Sequence, residues 1–398
     1  MDFFSKIFRG DKTIWAIFIA LCIISLLEVF SATSTIVYRQ QNHWGPILRH
    51  AAFLLIGFGG AMFLQRLPTR LFSVFVLLLP VSCFLLIITM IFGTDVNGAQ
   101  RWLGIGAITI QPSEIAKISA IGFTAFFLSK TNKENEGTMF KIMIICIGIT
   151  CLLILFDNFS TAALLFLVCF LMMIIGQISW KYLKYIVLPG MGILALVVAI
   201  FILIPDDTLK EYAHGRSSTW LSRIDKHLSD DIDFNDPGKY EITKKNFQTT
   251  HSKIAIANGG IIGFPGSGSS RDFLPQAYSD FIYSIIVEEM GLIGAIVVLL
   301  LYLALAIRAG MLARKCTKMF PKYLLLGSAL ILVIQALVNM SVAVGLIPVT
   351  GQPLPLISRG GTSTIITCAY FGIILACSNF KEEEHEDVDE SVANVHFN

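Results

Sequence analysis

Residues 279–307 have the sequence SDFIYSIIVEEMGLIGAIVVLLLYLALAI, in which a carboxylate, Asp280, stands at the beginning of a long apolar run. A helix needs about 20 mostly apolar residues to cross a hydrocarbon core of about 30 Å, and this run is long enough. The whole chain of 398 residues is 55% hydrophobic and 15% charged. Soluble domains carry about 25% charged residues. The composition therefore predicts a polytopic membrane protein.

Ten stretches of the chain are long and apolar enough to span a membrane, which predicts an all-α fold with ten transmembrane helices. Only Asp157 and Asn158 separate the fifth stretch from the sixth. The predicted spans are 13–37, 46–65, 71–93, 112–130, 139–156, 159–176, 184–204, 279–307, 322–344 and 360–378.

The lysines and arginines of the short loops predict the orientation, because basic residues accumulate in cytoplasmic loops. The loops alternate between rich and poor in these residues, so both termini are predicted to be cytoplasmic and Asp280 to lie on the outer side. The rich loops hold Lys6, Arg9 and Lys12; Arg66 and Arg70; Lys130, Lys133 and Lys141; Lys181 and Lys184; and Arg308, Arg314, Lys315, Lys318 and Lys322. The poor loops hold Arg39, Arg101 and Arg359.

Residues 205–279 form the one long loop, which is predicted to lie outside the membrane between the seventh and eighth helices. Its end, Asn258 to Gly268, is rich in glycine and is either a series of turns or a backbone nest for a pyrophosphate. Residues 381–398 are acidic without apolar periodicity, which predicts a disordered cytoplasmic tail. Residues 1–380 are then a single membrane domain.

Several ionisable residues lie inside predicted spans, where an ionisable group is costly unless it is paired or faces water. Glu114 and Lys117 are three residues apart on one helical face, where they can neutralise each other as a structural ion pair or as part of a site. Arg49 either extends to the outer head groups or binds an anionic lipid head. The other residues of this kind are Glu28, His50, Glu288 and Glu289.

Asp280 has two readings that the residues alone leave open. Either Ser279 or Asp280 caps the eighth helix, or Asp280 carries chemistry. No dinucleotide-binding, Walker or HExxH pattern is present, and the eight cysteines lack CxxC spacing, so neither a disulfide framework nor a thiolate metal site is indicated. The net charge of +2 is close to neutral, whereas nucleic-acid binding calls for a concentrated basic face.

Four stretches together resemble the SEDS (shape, elongation, division and sporulation) family of peptidoglycan polymerases. They are Gly98–Gly106 with Gln111–Lys117; Phe247 and Gln248 with Ser252, Ala255, Gly259, Gly260 and Gly263; Leu274–Gly291; and Gly345–Ser363. The chain departs from the family pattern at Asp157–Thr161, where Pro-Asp-x-Gly-Thr is usual, at His251 and at Arg359.

The resemblance implies a ten-span fold and a glycosyltransferase that extends glycan strands from lipid II at the outer face of the bacterial cytoplasmic membrane. By position, Asp280 matches the catalytic carboxylate of the family, acting as a general base or as the ligand of a divalent cation, Mg or Mn. Arg49, Glu114 and Lys117 match charged positions that line the family's central cavity.

The same resemblance implies a ligand for the glycine cluster. The backbone N–H groups of Gly259, Gly260 and Gly263 would bind the pyrophosphate of lipid II, together with Arg49 or Lys117.

The resemblance also implies partners: lipid II, the nascent glycan strand, a class B penicillin-binding protein transpeptidase and other division proteins. The sequence of Arg271–Asp280 is similar to that of division-type members, which favours septal wall synthesis over an elongation role. A lipid II transporter and a non-catalytic division scaffold remain alternatives.

Overall fold

The computed structural model describes residues 7–32, 45–95, 100–105, 108–188, 190, 246–263, 268 and 279–379. These residues are mostly helical, and six helices are long and apolar enough to cross a membrane. The helices are α1 (Lys12–Ala32), α2 (Gly45–Leu64), a 3-10 helix (Thr69–Val74) continued by α3 (Phe75–Phe92), α4 (Pro112–Ser129), α5 (Glu136–Asp157), α6 (Phe159–Ile175), α7 (Phe247–Asn258), α8 (Ile282–Ala313), α9 (Met319–Ala343) and α10 (Thr362–Cys377).

Each predicted span overlaps helical residues in the described part of the chain, the seventh only at residues 184–188 and 190. The seventh, 184–204, the middle of the long loop and the acidic tail lie largely or wholly outside the described residues. The predicted division between the fifth and sixth spans is confirmed: Asn158 follows α5, and its Oδ1 accepts hydrogen bonds from Ser160 N and Thr161 N at 3.0 and 3.4 Å. A side-chain acceptor at this position satisfies the free N–H groups of the first turn of α6.

The prediction of an all-α fold missed a small antiparallel sheet just before α4. Strands β1 (Thr94–Asp95), β2 (Gln100–Ile105) and β3 (Ile108–Ile110) lie in the order β1-β2-β3, with Leu103 opposite Ile110. The β-branched residues of β3 favour a strand. A search for apolar stretches long enough to span a membrane does not detect strands as short as these.

Helices α4, α9 and α10 form the centre of the described fold. Helix α4 packs against α3 and α9, and α10 packs against α2 and α9. Leu77 and Phe84 of α3 and Ile149 of α5 are exposed, as lipid-facing residues would be. The central helices instead bury Glu114, Lys117 and other polar side chains, so polar groups converge inside the bundle.

Helix α8 is broken at Gly291, although its sequence was predicted as one continuous span. Gly291 has φ 70° and ψ −174°, a left-handed backbone conformation that favours glycine. The N–H groups of Leu292 and Ile293 donate to the carbonyls of Gly260 and Ile261 at 3.1 and 3.2 Å. These bonds satisfy donors that the break would otherwise leave unpaired, as membrane-embedded backbone requires.

A second irregular segment, residues 351–358, connects α9 to α10 and is largely buried. It contains Pro353 and Pro355, which have no backbone N–H and disfavour a helix. Side chains from three helices donate hydrogen bonds to its carbonyls. The bonds are Gln335 Nε2 to Pro353 O (2.9 Å), Tyr302 OH to Pro355 O and Ser25 Oγ to Leu356 O (2.8 Å).

Candidate active site

Asp280 lies in a turn immediately before α8 and is half-buried. The N-cap of α8 is Phe281, and no side-chain hydrogen bond caps the helix, so the prediction that Ser279 or Asp280 is the N-cap is wrong. The backbone becomes helical only after Asp280, whose carbonyl accepts a hydrogen bond from Asn339 Nδ2 at 2.9 Å. Ser279 Oγ donates to Asp280 Oδ1 at 3.0 Å. The turn is thus fixed by side chains rather than by helix capping.

The irregular segment passes directly beside this carboxylate. A Cβ atom placed on Gly351 would lie 3.8 Å from Asp280 Oδ2. Asn339 Nδ2 also donates to Gln352 O at 2.8 Å, and Gln352 Nε2 donates to Thr161 Oγ1 at 2.8 Å. Asn339 therefore joins Asp280 to the irregular segment, and Gln352 joins that segment to the beginning of α6.

Glu114 and Lys117 form the predicted ion pair, with Lys117 Nζ 2.7 Å from Glu114 Oε1. Both side chains are buried, and Lys117 Nζ donates to Gln335 Oε1 at 3.3 Å. Gln335 and Asn339 are four residues apart on α9, about 6 Å along the helix. One face of α9 thus carries the partner of Lys117 and the partner of Asp280.

Arg49 is exposed on α2, with its guanidinium carbon 5.9 Å from the centre of the Phe53 ring. The next residue, His50, is buried instead, and its Nε2 lies 2.8 Å from Ser25 Oγ. Within the described residues, the structure does not bring Arg49 to Asp280 or Lys117. Binding of a lipid head group by Arg49 stays a prediction.

The three glycines of the cluster follow or end α7 and lie against the first half of α8. A Cβ atom on Gly259 would lie 2.0 Å from Val287 O, and one on Gly263 would lie 2.6 Å from Glu289 O. Gly260 is exposed and has φ 59°. Close backbone packing therefore accounts for glycine at positions 259 and 263, and pyrophosphate binding by their N–H groups stays a prediction.

Comparison with known proteins decides the family. The sequence profile of the FtsW, RodA and SpoVE family, described as "Cell cycle protein", matches residues 11–383. The chain belongs to this family, the SEDS family. The resemblance found in the sequence motifs is thereby confirmed.

SEDS relatives match nearly the whole chain. The probable peptidoglycan glycosyltransferase FtsW of Geobacter sulfurreducens is 31% identical over 382 residues, covering 94% of this chain and 96% of that protein. FtsW of Pseudomonas fluorescens is 29% identical and covers 90% of this chain and 85% of that protein. The peptidoglycan glycosyltransferase MrdB of Escherichia coli K12 is 28% identical and covers 92% of each.

Two solved SEDS-like structures have the same fold. One, described as "Structural coordination of polymerization and crosslinking by a peptidoglycan synthase complex", has a TM-score of 0.72 and 25% identity, covering 92% of this chain and 97% of that chain. The rod shape determining protein RodA of Thermus thermophilus has a TM-score of 0.63 and 23% identity, covering 92% and 96%, and shows the fold alone.

A divalent cation at Asp280 was predicted for this SEDS protein. Within the described ranges no three His, Cys, Asp or Glu side chains are grouped as a metal site. Mg²⁺ is often held by one or two carboxylates together with substrate phosphates. A single carboxylate at position 280 therefore fits a cation that a pyrophosphate also binds, and the cation stays a prediction.

Neutral polar residues that the sequence patterns did not single out hold the site of this SEDS protein together. Gln335 and Asn339 organise both Asp280 and Lys117, while Ser25 and Tyr302 bind the irregular segment. A signal was present: two amides with i, i+4 spacing in an apolar helix lie on one face, where each needs a partner.

Proposed function

We propose that this SEDS protein is a peptidoglycan glycosyltransferase that polymerises lipid II into β-1,4 glycan strands. One observation carries the proposal: the carboxylate of Asp280 lies at the start of the broken helix α8, next to Gly351, with its backbone carbonyl held by Asn339. The curated relatives FtsW and MrdB are named peptidoglycan glycosyltransferases, which supports the same chemistry here.

The proposed setting is a multi-pass protein of the bacterial cytoplasmic membrane with ten spans and both termini in the cytoplasm. Residues 1–380 would form one membrane domain, with residues 205–279 mainly as an outer loop and residues 381–398 as a cytoplasmic tail. The helix bounds and the distribution of basic residues support this arrangement. It would bring Asp280 to the outer side, where lipid-linked sugars are used.

The proposed reaction is one displacement with inversion. The 4-hydroxyl oxygen of an N-acetylglucosamine acceptor bonds to the anomeric carbon of the donor, while the bond from that carbon to undecaprenyl pyrophosphate breaks. The carboxylate of Asp280 takes the proton of the hydroxyl group. One base suffices, in contrast to the carboxylate pair of most glycoside hydrolases.

Positive charge would stabilise the pyrophosphate leaving group. Lys117, Arg49 and the N–H groups of Gly259, Gly260 and Gly263 are the proposed contacts, with Glu114 as the counter-ion that holds Lys117. A divalent cation on Asp280, when bound, would neutralise the same charge.

The proposed biological role is septal wall synthesis beside a class B penicillin-binding protein transpeptidase and other division proteins. The sequence Arg271–Asp280 supports the division role, and an elongation role with the same chemistry is the alternative. The solved relative that belongs to a peptidoglycan synthase complex supports a partner enzyme.

Polymer formation from lipid II by the purified protein, with and without its transpeptidase, tests the proposal. Wild type should form glycan strands, and Asp280→Asn should lose about 10²- to 10⁴-fold of the rate, the usual contribution of a general base. Glu136→Gln, which removes a carboxylate bonded to Ser179, serves as the control and should keep the rate. If the protein were a lipid II transporter or a scaffold, even the wild type would form no polymer.

A further inference from the structure

Two polar contacts join α1 and α8 at opposite ends of their packing. At one end, Arg308 Nη2 and Nε donate to the Asp11 carboxylate at 2.5 and 3.0 Å. At the other end, Ser31 Oγ donates to Glu289 Oε1 at 2.5 Å. Both helices cover about 20 residues between these contacts, or about 30 Å, the thickness of a hydrocarbon core. The two contacts are therefore about as far apart as the two boundaries of a hydrocarbon core.

The turn after α7 is bonded to the part of α8 that lies between these two contacts. Gly260 O and Ile261 O accept hydrogen bonds from Leu292 and Ile293. These residues follow Glu289 by three and four positions, so the bonds lie farther along α8, toward its Arg308 end. The turn thus lies beyond the level of the Ser31–Glu289 contact.

This turn exposes apolar rather than polar side chains. Ile261 and Ile262 are each 70% exposed, and Leu292 and Ile293 beside them are about half exposed. A helix that crosses the bilayer exposes such residues to acyl chains, so the surface of α8 continues onto the turn without a polar interruption among these four residues. The two bonded carbonyls meet the requirement that backbone groups in hydrocarbon be paired.

We propose that the segment Gly259–Gly263, the isoleucine turn, enters the hydrocarbon of the bilayer with Ile261 and Ile262 against the acyl chains. The predicted outer loop then includes a segment that returns into the membrane. Because Gly259 and Gly263 pack on Val287 and Glu289, the isoleucine turn connects surrounding lipid to the first half of α8.

Spin labels in the full-length protein, reconstituted in vesicles that hold a water-soluble nickel chelate on both sides, test this inference. Cysteine is introduced separately at Ile261 and Ile262, and the unsubstituted protein corrects for labelling of the native cysteines. Leu300→Cys, on the exposed side of α8, is the lipid control, and Lys133→Cys, in the exposed turn between α4 and α5, is the water control.

Labels at Ile261 and Ile262 should collide with oxygen several-fold more often relative to nickel than the label at Lys133, as the label at Leu300 does. A ratio equal to that at Lys133 would show a turn in water and overturn the inference. Low collision rates with both reagents would show protein contact instead of lipid and would also overturn it. The collision rates do not depend on polymerisation, so failure of this inference can be distinguished from failure of the proposed enzyme function.

Discussion

The two halves of α8 have opposite surroundings although they are consecutive in the chain. From Ile282 to Glu289 every residue is buried, whereas beyond Gly291 the helix exposes residues such as Leu292, Ile296 and Leu300. The first half follows Asp280 and packs on α7, and the second half faces lipid. A single glycine break thus separates a half-helix that positions the site from one that anchors the protein in the membrane.

The largest expected effect concerns the polar interior beside the first half. Replacing Lys117 with Met leaves Glu114 buried without its cation, which typically costs about 3–5 kcal/mol. The free energy of unfolding in detergent should fall by about that amount. The double variant Lys117→Met with Glu114→Gln should recover part of the loss, and equal losses in both variants would show that the ion pair is not the cause.

A smaller effect should distinguish the packing of the two halves. Gly259→Ala would place a Cβ atom 2.0 Å from Val287 O in the first half, and such overpacking costs about 1–3 kcal/mol. Gly310→Ala, in the second half, meets open space and should be neutral or stabilising by up to about 1 kcal/mol. Thermal unfolding of the two variants measures the difference. Equal midpoints would show that the first half is not held by close backbone contact.

The comparison shows what the sequence could predict. Hydropathy located the described helices other than α7, the spacing of Glu114 and Lys117 predicted their ion pair, and Asp157 with Asn158 predicted a helix boundary. These features depend on residues close together in the chain. The break at Gly291 could not be predicted in this way, because it is stabilised by carbonyls about 30 residues earlier.

The same limit applies to the candidate site. Asp280 was singled out as a carboxylate at the beginning of an apolar run, and its family motif gave the role. The buried path of residues 351–358 depends on amides of α9 and on Ser25 and Tyr302, which are distant in sequence. Helix capping was one of the two readings that the residues left open for Asp280, because capping is the local use of a carboxylate. The structure instead holds this turn through Asn339, which donates to the backbone carbonyl of Asp280.

The smallest expected effect lies at the far end of the second half, where Arg308 binds Asp11. Burial raises the pKa of Asp11. The hydrogen bonds and charge of Arg308, together with hydrogen bonds from the N–H groups of Ile14 and Thr13, lower this pKa by more than burial raises it. The pKa of Asp11 therefore lies below its ordinary value of 3.8. The contribution to stability is therefore fully present above pH 3.8 and is lost as the pH falls through the lowered pKa.

Because Arg308 is partly exposed, this contribution should be modest. Wild type should unfold at a slightly higher temperature than Asp11→Asn at pH 7, and the difference should shrink as the pH falls below 3.8. A difference that stays constant as the pH falls far below 3.8 would contradict an ionised Asp11 as its source.

The central claim is that Asp280 acts as the base of the polymerase rather than as a structural residue of the turn before α8. The most direct measurement determines lipid II binding and polymer formation on the same preparation of Asp280→Asn. We expect lipid II to bind as tightly as to the wild type while polymer formation is lost. Polymer formation at the wild-type rate, or loss of folding and binding together with activity, would contradict the claim.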